Sequence, residues 1–161
     1  MGWTFGNKSK KELVAELTAE TDKRKLVAKR VVGNHLWCVW EYCGENLISL
    51  CLLERYQGDW GYKDFSEVSH PFYYDCPERF FELVPDDSVH ACGAWREQVR
   101  QYHREKANER AIKVGVRVRV KEGWGAYSGS IQEVIRILPR KKACVVIGSY
   151  RFPRRALEVV L

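Results

Sequence analysis

Val114-Gly115-Val116-Arg117-Val118-Arg119-Val120-Lys121 is the stretch that decides the reading of this chain. Its valines alternate with Gly, Arg, Arg and Lys. A period of two is that of a strand with one apolar face turned inward, and here the other face is a basic row. Gly123-Trp124-Gly125-Ala126-Tyr127-Ser128-Gly129 follows as a loop. Residues 130–138 and 143–150 read as two further strands, joined by a turn around Pro139-Arg140-Lys141-Lys142. Residues 151–155 make another turn and 156–161 a closing strand. Short strands in this number predict a small barrel, because closure removes edges that would otherwise be exposed.

Charge separates the same segment from the rest. Residues 113–161 carry eleven Lys/Arg against three Asp/Glu, a net of +8. Residues 1–110 carry sixteen basic and eighteen acidic side chains, a net of −2. A domain that holds all of a chain's net positive charge is expected to meet a polyanion, so a nucleic acid or a nucleoprotein complex is the expected partner. The basic candidates are Arg117, Arg119, Lys121, Arg136, Arg140, Lys141, Lys142, Arg151, Arg154 and Arg155. Lys and Arg bind phosphates by releasing condensed counterions. Trp124 and Tyr127, in the adjacent loop, supply flat faces on which unpaired bases can stack.

Residues 114–123, together with Tyr127-Ser128-Gly129-Ser130-Ile131-Gln132-Glu133-Val134, resemble a KOW module. Such modules are SH3-like barrels found in transcription elongation factors of the NusG type and in ribosomal proteins. The resemblance implies an SH3-like barrel over residues 111–161 and favours RNA as the nucleic acid. Gly123-Trp124-Gly125 stands where that module usually has Gly-Pro-Phe.

Residues 1–110 predict a separate α+β domain with a small antiparallel sheet and helices. Ser9 with Glu12 is a capping box, and Leu13, Val14 and Leu17 follow at helical spacing, predicting a helix over residues 10–20. Residues 23–32, 35–42 and 47–56 read as strands; the last two are apolar on both faces, as in a sheet covered on each side. Residues 57–70 show no period and read as an aromatic loop. Asp75-Cys76-Pro77 predicts a helix start, with Asp as the cap. Residues 89–110 predict the longest helix, with Ala91, Trp95, Val99 and Tyr102 as its apolar stripe and Arg96 among the solvated charges.

Met1-Gly2-Trp3-Thr4-Phe5, Trp60-Gly61-Tyr62-Lys63-Asp64, Tyr73-Tyr74-Asp75-Cys76-Pro77 and Trp95-Arg96 resemble a family common in phages and mobile elements. That resemblance implies a phage or mobile-element habitat, and an accessory protein of such an element is the expectation. The aromatic segment 60–74 is the alternative contact: Trp60, Tyr62, Lys63, Asp64, Tyr73 and Tyr74 are candidates for binding a host protein, as an inhibitor or counter-defence factor would.

For catalysis, Cys76 with His70 is the candidate pair, since a thiol at a helix N-terminus is acidified; Asp59, Asp64, Glu67 and Asp75 are nearby acid–base types. None of the six cysteines forms a C-x2-C pair, and there is no phosphate-cradling Gly loop, H-E-x-x-H or G-x-S-x-G motif. Neither a metal nor a cofactor is expected. The longest apolar stretch, residues 47–53, is too short to cross a bilayer, so no membrane partner is expected and the cytoplasm is the expected compartment.

Overall fold

The computed structural model describes residues 2–69, 72–139, 141–142 and 144–160. The protein mixes helices with antiparallel sheets and divides into two compact units, residues 1–100 and 101–161. The division falls inside the long helix, whereas the sequence reading put it after residue 110.

The first unit is built on a five-stranded antiparallel sheet. Its strands are β1 (Thr4–Gly6), β2 (Arg24–Val32), β3 (His35–Tyr42), β4 (Glu45–Tyr56) and β5 (Asp59–Ser66), in the order β1-β5-β4-β3-β2. Alternation along β3 sends Leu36, Cys38 and Trp40 to one face and Trp37 and Val39 to the other, and both sets are buried. Helix α1 (Lys10–Leu17) covers the first face with Leu13, Val14 and Leu17. Its start is the expected capping box: Ser9 Oγ accepts from the Glu12 amide at 3.3 Å, and Glu12 accepts from the Ser9 amide at 2.7 Å. The second face is covered by α2 (Phe80–Leu83) and α3 (Gly93–Ala111) through Phe80, Val84, Trp95 and Val99.

Three expectations need correction here. Residues 59–66 are strand β5, not a loop, paired along their whole length with β4. The turn before it was missed because Gln57 and Gly58 supply the two positive φ angles (51° and 100°) that a tight two-residue hairpin needs, and Gln is an unusual residue to do so. Within β5, Gly61 lies against β1: a Cβ there would run into the Phe5 ring and the Thr4 carbonyl. Asp75-Cys76-Pro77 does not begin a helix; α2 starts at Phe80, and the Asp75 carboxylate is engaged across the sheet instead.

The third correction concerns Arg96, which is fully buried on α3 rather than solvated. Its Nε donates to Glu67 Oε1 at 2.5 Å and its Nη2 to Glu67 Oε2 at 2.9 Å. Nη1 donates to the Val84 carbonyl at 2.6 Å and to Asp86 at 2.7 Å. Glu67 is buried as well and also accepts from the Cys92 amide at 2.8 Å.

The second unit holds the C-terminal half of α3 and six short strands: β6 (Arg117–Val120), β7 (Ile131–Glu133), β8 (Arg136–Ile137), β9 (Val145–Ile147), β10 (Tyr150–Phe152) and β11 (Leu157–Val159). They form two three-stranded antiparallel sheets, β11-β6-β7 and β10-β9-β8, which are not closed into a barrel. The single strand expected over residues 130–138 is broken between β7 and β8. The Val134 amide bonds to Val116 in one sheet, and the Ile135 amide to Val146 in the other, so the chain changes sheets there. The strand expected over 143–150 is instead part of the β9–β10 hairpin. Both sheets share one core of Ile112, Val118, Val120, Val134, Val145, Ile147, Phe152 and Leu157.

Breaking a buried ion pair from one side leaves an uncompensated charge and costs about 3–5 kcal/mol. Glu67→Gln and Arg96→Met are each expected to lower the stability of the first unit by that order, measured by denaturant unfolding. The double variant Glu67→Leu/Arg96→Met is expected to recover a large part of the loss.

Candidate nucleic-acid interface

In the second unit, local pairing decides which cations are free to meet a phosphate. Arg117 and Arg119 point outward from β6, as the alternation requires. Antiparallel register sets Arg117 directly opposite Glu133 of β7 and Arg119 opposite Glu158 of β11. Arg119 and Glu158 approach to 3.9 Å. Directly opposed residues share a face, so this basic row is interleaved with two of the three carboxylates of residues 113–161.

Arg154 is spent on structure. Its Nη1 donates to the carbonyls of Glu109 at 2.5 Å and Ile112 at 2.7 Å, satisfying acceptors left open at the end of α3. Asn108 works alongside, donating to the Leu157 carbonyl at 2.8 Å and accepting from the Val159 amide at 2.9 Å. These bonds tie the last turns of α3 to β11, which is why those turns belong with the second unit.

The other cations are less encumbered. Register places Arg136 of β8 and Arg151 of β10 on either side of Val146, on the outer face of their sheet, and both are exposed. Lys142 and Arg155 border an open depression of about 460 Å3, with Cys144, Pro153, Arg154 and Glu109. The Glu109 carboxylate there is held by Lys106 at 3.0 Å. Lys141 is exposed on the same turn as Lys142, Lys121 is half-buried, and Arg140 lies outside the described residues.

The aromatic part of the site is larger than the sequence suggested. The Arg155 guanidinium stands over the Trp124 ring at 5.8 Å. Tyr127, from the same short 3-10 turn (Gly125–Tyr127), meets Tyr150 with ring centroids 4.3 Å apart. The Tyr150 hydroxyl beside it, by a side-chain hydrogen bond, holds the Tyr127 phenol above its ordinary pKa. Tyr150 is half-exposed and was not singled out from the sequence; its signal was its place beside Gly148-Ser149 at a hairpin end next to Arg151. Trp124 and Tyr127 are half-buried and also pack on the core, so each offers one face at most.

The candidates in the first unit are largely occupied by the fold. Trp60 and Tyr62 lie half-buried on the α1 face, with Lys10 over the Trp60 ring at 5.1 Å. Lys63 lies over Phe65 at 5.2 Å, and Tyr73 and Tyr74 pack against the sheet's other face. Asp59 and Asp64 are exposed. Asp75 accepts from Trp37 Nε1 at 3.2 Å and pairs with His35 Nδ1 at 2.7 Å, while Tyr73 sets its ring against the imidazole at 4.6 Å. This group fastens the segment before α2 to β3.

Cys76 is fully buried, and its thiol is pushed well up, first by burial and then by the neighbouring Glu67 and Asp75 carboxylates. That is the reverse of the acidified thiol expected for a helix N-terminus. Its proposed partner His70 lies outside the described residues. Burial likewise pushes Cys38 up to about 11 and Cys51 up to about 12. Among the described residues, no three His, Cys, Asp or Glu side chains group as a metal site, and no helix is long and apolar enough to cross a membrane.

No family model, curated protein or solved structure matches this chain.

Thiolate is the reactive form of cysteine, so a buried thiol with a raised pKa reacts slowly. Under native conditions a disulfide reagent at neutral pH is expected to label the exposed Cys43 first. Cys38, Cys76 and Cys92 are expected to react only on unfolding, read by mass spectrometry of the labelled peptides.

Proposed function

We propose that residues 111–161 form an SH3-like barrel that binds single-stranded RNA, free or within a nucleoprotein complex. Lys142, Arg155, Arg136 and Arg151 would neutralise phosphates, and Trp124, Tyr127 and Tyr150 would stack on bases. The strand arrangement supports the barrel reading. Two three-stranded sheets share one core, the chain passes from one to the other at residues 134–135, and a 3-10 turn (Arg154–Ala156) precedes the last strand. The likeness of residues 114–134 to a KOW module agrees with it and favours RNA over DNA.

The observation that carries the binding reading is the placement of Arg155 over Trp124 beside Lys142, close in sequence to the Tyr127–Tyr150 pair. Cations next to partly open aromatic rings are how sequence-tolerant single-strand binders are built: charge tracks the backbone, and the open part of each ring takes a base. The paired arginines 117 and 119 contribute less, because Glu133 and Glu158 already face them. The likeness of the front part to a phage and mobile-element family makes the whole chain an accessory protein working in the cytoplasm of such an element's host.

Binding of the full chain to a single-stranded RNA is expected to weaken steeply with salt. Four phosphate contacts give a slope of log K against log salt of about −3. Arg136→Ala and Arg151→Ala are each expected to flatten that slope by a little under one unit, whereas Arg117→Ala and Arg119→Ala change it less. Trp124→Ala and Tyr150→Ala are expected to cost about 1–3 kcal/mol each with the slope unchanged, provided that circular dichroism shows a retained fold. A flat salt dependence, or a partner from host lysate that survives nuclease treatment while RNA fails to bind, would refute the reading in favour of protein docking.

A further inference from the structure

Helix α1 ends at Leu17 and leaves part of its sheet face bare. The uncovered area is a cavity of about 420 Å3, with Arg24, Trp40, Ser49, Tyr62 and Asp64 in its wall beside apolar side chains that include Leu17 and Leu47. Three features give it chemical character. The Arg24 guanidinium carbon lies 4.3 Å from the centre of the Trp40 ring, a cation–π contact that holds the charge at the cavity wall. Arg24 Nε is out of contact with solvent and has no hydrogen-bond partner, an uncommon state for a charged donor.

The second feature is Ser49. Its Oγ accepts from Trp40 Nε1 at 3.1 Å, which frees its own proton for another acceptor. The third is Asp64, across the sheet on β5 and exposed; among the described residues it makes no ion pair with Arg24 within 4 Å. Cys51, directly opposite Asp64 in register, stays a neutral thiol because burial pushes it up to about 12. The cavity thus presents one cationic fork and a hydroxyl donor at one part, apolar walls, and a single carboxylate that repels further negative charge.

We propose that this cavity is a binding site for a small monocarboxylate with an apolar body, its carboxylate taken by the Arg24 guanidinium and Ser49 Oγ. A guanidinium and a carboxylate form a charge-assisted pair, and Arg24 has no carboxylate within ion-pair distance among the described residues. Asp64 disfavours dianions such as phosphate monoesters, and the apolar walls disfavour small hydrophilic acids. The site lies wholly within the first unit and does not depend on RNA binding by the second.

The test uses the full chain with phenylacetate and octanoate as probes, and phenylacetamide and phenyl phosphate as controls, read by saturation-transfer NMR and by the shift in melting temperature. Phenylacetate or octanoate is expected to bind, with phenylacetamide and phenyl phosphate each about tenfold weaker or worse. Arg24→Met is expected to abolish carboxylate binding, and Ser49→Ala to weaken it several-fold, both with the fold retained by circular dichroism. Asp64→Asn is expected to narrow the gap between phenylacetate and phenyl phosphate. If neither acid binds at millimolar concentration, or the amide binds as well as the acid, the proposal is overturned. It also falls if folded Arg24→Met or, should that variant not fold, folded Ser49→Ala binds as the parent does.

Discussion

The first unit depends on one desolvated ion pair. Glu67 and Arg96 are both out of water, and neither could stay there charged without the other. Each makes further bonds that leave little of its capacity unused. Glu67 takes the Cys92 amide just before α3 begins, and Arg96 takes the Val84 carbonyl just after α2 ends. Phe81 closes over the guanidinium at 4.8 Å. Three segments far apart in the chain are thereby fixed to one point: the 3-10 turn after β5, the end of α2 and the start of α3. A hydrophobic pair of like volume could fill the space, but it could not specify which backbone groups meet there. The cost of burying two charges is offset by positional definition, and the wide apolar surface of Trp37, Trp95 and Phe80 then packs in a single arrangement.

What the sequence shows of this fold follows from periodicity and what it hides follows from partners. Strands β2, β3 and β4 were legible because their apolar and β-branched residues run between Gly-containing turns, and α1 because Ser9 and Glu12 announce it. β5 was not legible: Trp60-Gly61-Tyr62-Lys63-Asp64 mixes aromatic, glycine and charge with no clean alternation. Its role is decided by β4 and β1 on either side and by the ring of Phe5 above Gly61. Arg96 is harder still. On a helical projection it is one charge among many, and only Glu67, twenty-nine residues earlier, turns it inward. Asp75 was read as a cap because Asp before Pro usually is one, but a carboxylate can be claimed instead by an indole and an imidazole that no local pattern announces.

The same distinction governs the basic unit. Its net charge is a property of composition and was legible at once, but the charge available to a ligand is what remains after the unit has paired with itself. Arg154 goes to helix carbonyls, and Arg117 and Arg119 face carboxylates across the ladder. Counting basic residues therefore overstates the binding surface and blurs its position. Of the cations that remain, Arg136 and Arg151 sit on β8 and β10, in the other sheet from the alternating valine strand, and Lys141, Lys142 and Arg155 sit on turns. That strand's clean alternation serves the core: Val118 and Val120 are buried, and its outer charges are balanced.

Arginine is the common element in all three places, and its environment sets what it does. At position 96 it is buried with a full set of acceptors and acts as a structural node. At position 154 it caps a helix with one nitrogen and lies half-exposed. At positions 24 and 155 it lies on an indole, where the ring satisfies the charge but not the N–H donors. A guanidinium held over a ring keeps N–H donors for an acceptor, which favours recognition of an anion with little loss of side-chain freedom. Trp40 and Trp124 set two such positions, at Arg24 and Arg155.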